Sequence, residues 1–79
     1  MERPSRSEEV DACNEAGRQC IENGDLKGAC EQFTRALELL RSCSDPKRQA
    51  VLLNNLGHVQ VSLRRLDEAV ETFRGAARL

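Results

Sequence analysis

Apolar residues recur at steps of three and four along most of the chain, the spacing that places them on one face of an α-helix. Four such stretches follow one another, and turn-forming residues separate most of them. The pattern therefore predicts an all-α fold of four amphipathic helices. The positions on these faces are Val10, Cys13, Ala16, Gly17, Cys20 and Ile21, then Leu26, Ala29, Cys30, Phe33, Ala36, Leu37 and Leu40, then Ala50, Leu52, Leu53, Leu56, Gly57, Gln60, Val61 and Leu63, and finally Leu66, Ala69, Val70, Phe73, Ala76 and Ala77.

Capping residues predict where the first two helices begin and end. Ser7 is expected to cap the first helix, with Glu8 and Glu9 in its first turn, where negative charge suits the helix dipole. Gly24 should end that helix, because glycine readily takes the left-handed conformation found at helix ends. Asp25 follows at once and is expected to cap the second helix.

The third helix is expected to begin at Pro46, since Asp45 is a good N-cap and a proline in the first turn loses no helical hydrogen bond. Arg64 and Arg65 are interpreted as the C-terminal turn of this helix, where positive charge is favourable. Neither glycine nor proline separates the third helix from the fourth.

The chain also repeats itself, without a gap, at an offset of forty residues. Residues 10–39 and 50–79 are identical at eight of thirty positions. A fixed period of this size indicates stacked repeats, in which each unit packs on the next. Because short turns force neighbouring helices to run antiparallel, we expect two helix hairpins, with the first helix beside the third. The identical pairs are Asn14/Asn54, Gly17/Gly57, Leu26/Leu66, Ala29/Ala69, Glu31/Glu71, Phe33/Phe73, Ala36/Ala76 and Leu39/Leu79.

The cysteines and the single histidine give little sign of chemistry. Cys13, Cys20, Cys30 and Cys43 form no Cys-x-x-Cys pair, and His58 has no cysteine close to it in sequence. We interpret the first three as packing residues and Cys43 as an exposed loop residue, with a disulfide or a metal site as the alternatives. No nucleophile constellation, acid–base pair or phosphate loop is present, so we expect neither an enzyme nor a cofactor.

Charge is distributed unevenly along the chain. Residues 1–45 carry six basic and ten acidic groups, a net −4, whereas residues 46–79 carry six basic and three acidic groups, a net +3. This balance is too weakly basic for a nucleic-acid binder. No apolar stretch approaches the ~18 residues of a membrane span, and the N-terminus lacks the apolar core of a signal peptide. We therefore expect no nucleic-acid or membrane partner and a cytoplasmic location, with the nucleus as the alternative.

One string of small and apolar residues occurs twice in phase: a small residue, glycine, then Leu-x-x-Ala-x-x-x-Phe-x-x-Ala. It resembles the tetratricopeptide repeat, and this resemblance implies a right-handed superhelix of two helix hairpins. The implied division is a disordered N-terminus (1–6), a first repeat (7–43) and a second repeat (44–79). The two copies are Ala16-Gly17, Leu26, Ala29, Phe33 and Ala36, then Leu56-Gly57, Leu66, Ala69, Phe73 and Ala76.

The repeat differs from the family pattern in its length. The usual period is ~34 residues, and the six extra residues fit best at the end of the second helix and in the loop after it. Longer repeats of this sort resemble those of kinesin light chains and of Pins-type polarity adaptors. These share a string that here reads Leu53-Asn54-Asn55-Leu56-Gly57.

The resemblance also implies a function, because in this family the first helices of successive hairpins line a groove that holds a peptide or a partner helix. An adaptor that binds proteins through this groove is therefore expected. The family's carboxylate clamp is not, since it needs basic residues on three such helices and only Arg18 matches here. The implied binding residues are Asn14, Arg18, Ile21, Asn54, Asn55, His58 and Val61, with Asp11, Glu22, Val51 and Ser62 on the same face.

Self-association is the alternative function, and it concerns the fourth helix. Leu66, Ala69, Val70 and Phe73 are expected to pack on the third helix, while the apolar residues beyond them stay uncovered. These would meet either the next hairpin of a longer array or a second copy in a weak homodimer. The implied self-association residues are Phe73, Ala76, Ala77 and Leu79.

Overall fold

The computed structural model describes residues 3–79, and this part of the chain contains four α-helices and no strand. They are α1 (Arg6–Glu22), α2 (Leu26–Leu40), α3 (Pro46–Ser62) and α4 (Leu66–Ala77). α1 packs on α2 and α3 packs on α4, while α2 also packs on α3 and so joins the two hairpins. The predicted all-α fold of two helix hairpins is confirmed. The predicted disordered tail lies partly outside the described residues, and Arg6 already belongs to α1.

The core forms where α2 is covered on both sides by its neighbours. Phe33 is fully buried, and its ring occupies the space above Gly17: a Cβ at Gly17 would lie only 2.6 Å from the ring. The same relation holds between Phe73 and Gly57, also at 2.6 Å. In each hairpin, a phenylalanine ring of the second helix thus packs directly on a glycine of the first helix. The buried apolar cluster comprises Val10, Ala29, Phe33, Ala36, Leu40, Leu52, Leu56 and Val59.

The start of α1 differs from the prediction, because Ser5 and not Ser7 is its N-cap. The Oγ of Ser5 accepts a hydrogen bond from the Glu8 amide at 3.1 Å, and its extended backbone has the geometry that an N-cap requires. Ser7 lies inside the first turn, where its hydroxyl accepts a hydrogen bond from Arg48 at 2.6 Å. The Ser7 side chain, which was expected to cap α1, therefore bonds to Arg48 of the other hairpin instead.

The other predicted caps are confirmed. The Oδ1 of Asp25 accepts a hydrogen bond from the Gly28 amide at 2.9 Å, and that of Asp45 accepts one from the Arg48 amide at 3.1 Å. Pro46 occupies the first turn of α3, where the absence of its N–H has no consequence.

The turn between α3 and α4 was predicted incorrectly. α3 ends at Ser62, so Arg64 lies in the turn, with a φ of 65°, and not in the last helical turn. Its counterpart forty residues earlier is Gly24, with a φ of 78°. Both amides donate to the carbonyl three residues before them at 3.0 Å, those of Ile21 and Val61. The backbone therefore follows the same path in both turns. This path requires a residue in the left-handed conformation, whether or not that residue is glycine.

Helix α4 also presents a different face from the one expected. Ala69 is buried, but Leu66 is 55% exposed and Val70 is 48% exposed, so the prediction that both pack on α3 was wrong. The reason lies in the stacking of the hairpins. The matching residues of α2, Leu26 and Cys30, are half-buried against the core, and within the described residues no further helix covers α4 in this way.

The left-handed turn residues give a matched pair of stability predictions. Arg64→Gly should stabilise the protein by up to about 1 kcal/mol, because a left-handed residue with a Cβ costs about 1–2 kcal/mol and the added freedom of an unfolded glycine offsets about 0.4–1 kcal/mol. Gly24→Ala should destabilise it by a similar amount. A Cβ at Gly24 would meet no atom within 4 Å, so no steric clash contributes to that loss. Urea unfolding measures both, and a loss of stability in Arg64→Gly would contradict the assignment.

Candidate functional site

Helices α1 and α3 run side by side in the same direction, because α2 is antiparallel to both. Their polar side chains bridge the two hairpins. Arg48 of α3 donates to Ser7 Oγ and, at 3.1 Å, to Asp11 Oδ2 of α1. Further along, Asn55 Nδ2 donates to Asn14 Oδ1 at 3.2 Å. These contacts confirm that the first helix neighbours the third.

A cleft of about 160 Å³ opens between the N-terminal halves of these two helices. Val10, Val51 and Leu52 give it apolar walls, and charged groups stand at its edge. Its volume is close to that of an engineered cavity of about 150 Å³ that admits a benzene ring, so it has room for one apolar side chain. The lining residues are Val10, Asp11, Asn14, Lys47, Arg48, Val51 and Leu52.

The predicted asparagines fall into two groups. Asn14 and Asn55 are half-buried and bonded to each other, whereas Asn54 is exposed. An asparagine amide has two donor hydrogens and an acceptor oxygen, so the Asn14–Asn55 bond leaves the Asn14 NH₂ group and the Asn55 oxygen available. Of the three, Asn54 is the one most open to a partner's backbone.

The predicted apolar and charged positions toward the other end of the helices are also accessible. Ile21 and Val61, in the last turns of α1 and α3, are 41% and 43% exposed. Arg18 lies 3.9 Å from Glu15 of its own helix, and both side chains are more than 60% exposed. An exposed pair of this kind holds its members weakly, so the Arg18 guanidinium is free to meet another carboxylate.

His58 occupies the side of the predicted set that faces α4. It is exposed, and its ring meets that of Phe73 edge-on, with centroids 5.3 Å apart. Asn55, by contrast, faces α1 through its bond to Asn14. The predicted binding residues therefore divide between the α1–α3 seam and the α3–α4 side of the same helix.

Four residues of the cleft were absent from the predicted binding set: Val10 and Leu52, which were predicted as positions of the apolar stripes, and Lys47 and Arg48. Lys47 and Arg48 lie in the first turn of α3, outside the repeated string, and the positions forty residues earlier hold Ser7 and Glu8. Repeat matching alone could not single them out. The opposite charges of Arg48 and Asp11 were the available signal, once the first and third helices are taken to be neighbours.

The cysteines occupy the environments that were predicted for them. Cys13, Cys20 and Cys30 are half-buried and pack on the core, while Cys43 is exposed. Burial raises the pKa of the Cys30 thiol, and the nearby Arg65 charge only partly counteracts this. The reactive thiolate is therefore disfavoured at Cys30. Within residues 3–79 no group of three or more His, Cys, Asp or Glu side chains is placed to hold a metal ion.

The predicted self-association residues form part of a second surface, on α4. Phe73 and Ala76 are half-buried, whereas Ala77 and Leu79 are exposed. Leu66 and Val70 add exposed apolar area to this surface. We call the exposed positions the α4 face: Leu66, Val70, Ala77 and Leu79.

Two parallel helices that border a shared cleft, each backed by an antiparallel partner, define a helix-hairpin repeat protein. The family model for the tetratricopeptide repeat matches residues 12–79, and the chain belongs to this family. Comparison with curated proteins and with solved structures gives no match. Tetratricopeptide repeats generally act as protein-interaction modules and are typically non-catalytic scaffolds. None of the helices described is long and apolar enough to cross a membrane.

The Arg48 bridge generates a stability prediction. Arg48→Ala should lower the free energy of unfolding by about 1 kcal/mol, because it removes contacts with Ser7, Asp11 and Asp45 together, each weakened by solvent screening. Arg74→Ala is the control, since its ion pair with Glu71 lies within α4 and is largely exposed. It should cost less than about 0.5 kcal/mol. Equal losses in the free energy of unfolding, measured in urea, would show that the bridge between hairpins stabilises the protein no more than an ion pair within one helix.

Proposed function

We propose that this chain is a protein-interaction adaptor that binds a peptide segment or a helix of a partner along the face formed by α1 and α3. The observation that carries the proposal is the cleft between the two helices, bordered by side chains with unused hydrogen-bonding groups and by exposed apolar residues. The proposed contact residues are Asn14, Arg18, Ile21, Asn54, Asn55, His58 and Val61.

The chemistry of this face suits a polypeptide ligand. Asn54 offers both a donor and an acceptor, which is what a peptide backbone requires, and Arg18 offers a forked donor for a carboxylate. Ile21 and Val61 supply apolar area at the far end from the cleft. We also propose that the module is non-catalytic and works in the cytoplasm, with the nucleus as the alternative.

Self-association through the α4 face is the second candidate function. The exposure of Leu66 and Val70 favours it, because the matching residues of α2 are packed against the core. Each buried leucine-sized side chain contributes about 1.5–3 kcal/mol, whereas association costs about 4–15 kcal/mol of lost freedom. Any dimer held by this face alone is therefore expected to be weak.

Two exposed valines allow the two functions to be separated. Val51 lines the cleft and Val70 lies on the α4 face. Val51→Glu should reduce the capture of partner proteins from a cell extract at least about tenfold, a loss of about 1.4 kcal/mol, and leave self-association unchanged. Val70→Glu should abolish any dimer seen by sedimentation and leave capture unchanged. Circular dichroism checks that both variants keep their helices.

The outcomes distinguish the two candidates. If Val51→Glu captured the partner proteins and Val70→Glu did not, binding along α1 and α3 would be contradicted. A single monomeric species at the highest attainable concentration would contradict self-association. Equal effects of both substitutions, in variants that remain helical, would count against the assignment of separate surfaces.

A further inference from the structure

We propose that the cleft between α1 and α3 selects partner segments in which a Leu-, Ile- or Phe-sized side chain stands next to a carboxylate. This inference rests on the proposed function and adds to it the chemistry of the ligand. The apolar side chain would enter between Val10 and Val51, and the carboxylate would meet Lys47 at the edge.

The size and lining of the cleft indicate a single side chain. Its volume of about 160 Å³ lies below the roughly 300–1,000 Å³ typical of small-molecule pockets. Val10 is buried and Val51 is exposed, so the cleft has an apolar floor and an apolar wall, and the wall is open to solvent. Filling it with an apolar group removes this surface from water, which is favourable.

The charges around the cleft favour an acidic neighbour for that side chain. Asp11, the only acidic residue of the lining, is paired with Arg48 at 3.1 Å, and Arg48 also lies 3.5 Å from Asp45. Lys47 is exposed and makes no hydrogen bond or ion pair within residues 3–79. Lys47 is therefore the one charged side chain of the lining that pairs with no other described residue.

The direction of the helices adds to this charge. α1 begins at Arg6 and α3 at Pro46, and because the helices are parallel both N-termini lie at the cleft end of the face. The positive ends of the two helix dipoles therefore point the same way. Glu8 and Glu9 in the first turn of α1 oppose this effect, but neither lines the cleft. A segment flanked by basic residues would meet Lys47 and both positive dipole ends, so it is disfavoured.

The chain contains only two lysines, which provide a matched control. Lys47 stands at the cleft, whereas Lys27 is also exposed, on α2, and does not line it. The probe is a display library of random dodecapeptides, selected on the wild-type chain and on the Lys47→Glu, Lys27→Glu and Val51→Glu variants. Circular dichroism confirms that each variant is folded before selection.

We expect wild type and Lys27→Glu to enrich peptides with an apolar residue beside Asp or Glu. Lys47→Glu should lose this acidic preference, and Val51→Glu should lose the enrichment. A synthetic peptide taken from the wild-type selection should bind Lys47→Glu about fivefold more weakly, as expected for one exposed charge pair. Raising the salt to about 0.5 M should shrink that difference, because added ions screen exposed charges.

Four results would overturn the inference. Enriched peptides without an acidic preference, or with one that survives Lys47→Glu, would refute the specificity while leaving peptide binding intact. Peptides that bind Val51→Glu as well as wild type would place the ligand elsewhere on the chain. Self-association that Val51→Glu abolishes would make a second copy the occupant of the cleft. The absence of any enriched peptide on the wild-type chain would refute the proposed function as well.

Discussion

The packing of a phenylalanine ring onto a glycine holds each hairpin at the separation on which the other contacts depend. A Cβ at Gly17 or Gly57 would come within 2.6 Å of the ring opposite, so a larger residue there would require the ring, or the helix that carries it, to shift. Phe33, which α2 contributes, is fully buried at this contact. Because protein interiors are close-packed, small shifts of this kind are transmitted to neighbouring elements. The spacing of the two helices within each hairpin thus depends on this contact.

Repetition of the hairpin places the chemically useful groups together. Since α2 runs antiparallel to both α1 and α3, these two helices run parallel and bring their N-termini to one end of the face. That arrangement lets Arg48 reach Ser7 and Asp11 across the seam. It also leaves Lys47 at the edge of an apolar cleft. None of these relations exists within a single repeat, so the candidate site is a product of stacking.

The two hairpins follow one plan but differ in what covers them. α2 has a neighbour on each side, whereas α4 packs extensively only on α3 among the described helices. As a result, Leu66 and Val70 are exposed, whereas Leu26 and Cys30, at the same positions of the first repeat, are half-buried. An apolar face of this kind is available to a further helix or to another copy. The chain thereby offers two separate surfaces, one at the cleft and one on α4.

The sequence by itself determined the four helices, the caps at Asp25 and Asp45 and the pairing of the repeats, because these depend on residues close together in the chain or on a regular period. It did not determine that Ser5 would cap α1, or that Arg64 would adopt the left-handed conformation of Gly24. Nor did it single out Arg48 as the bridge. Ser7 and Arg48 are forty-one residues apart. The conformation of the turn at Arg64 is set by the packing of α3 on α4. Such features are decided by tertiary structure, since their free energy comes from contacts that no local segment contains.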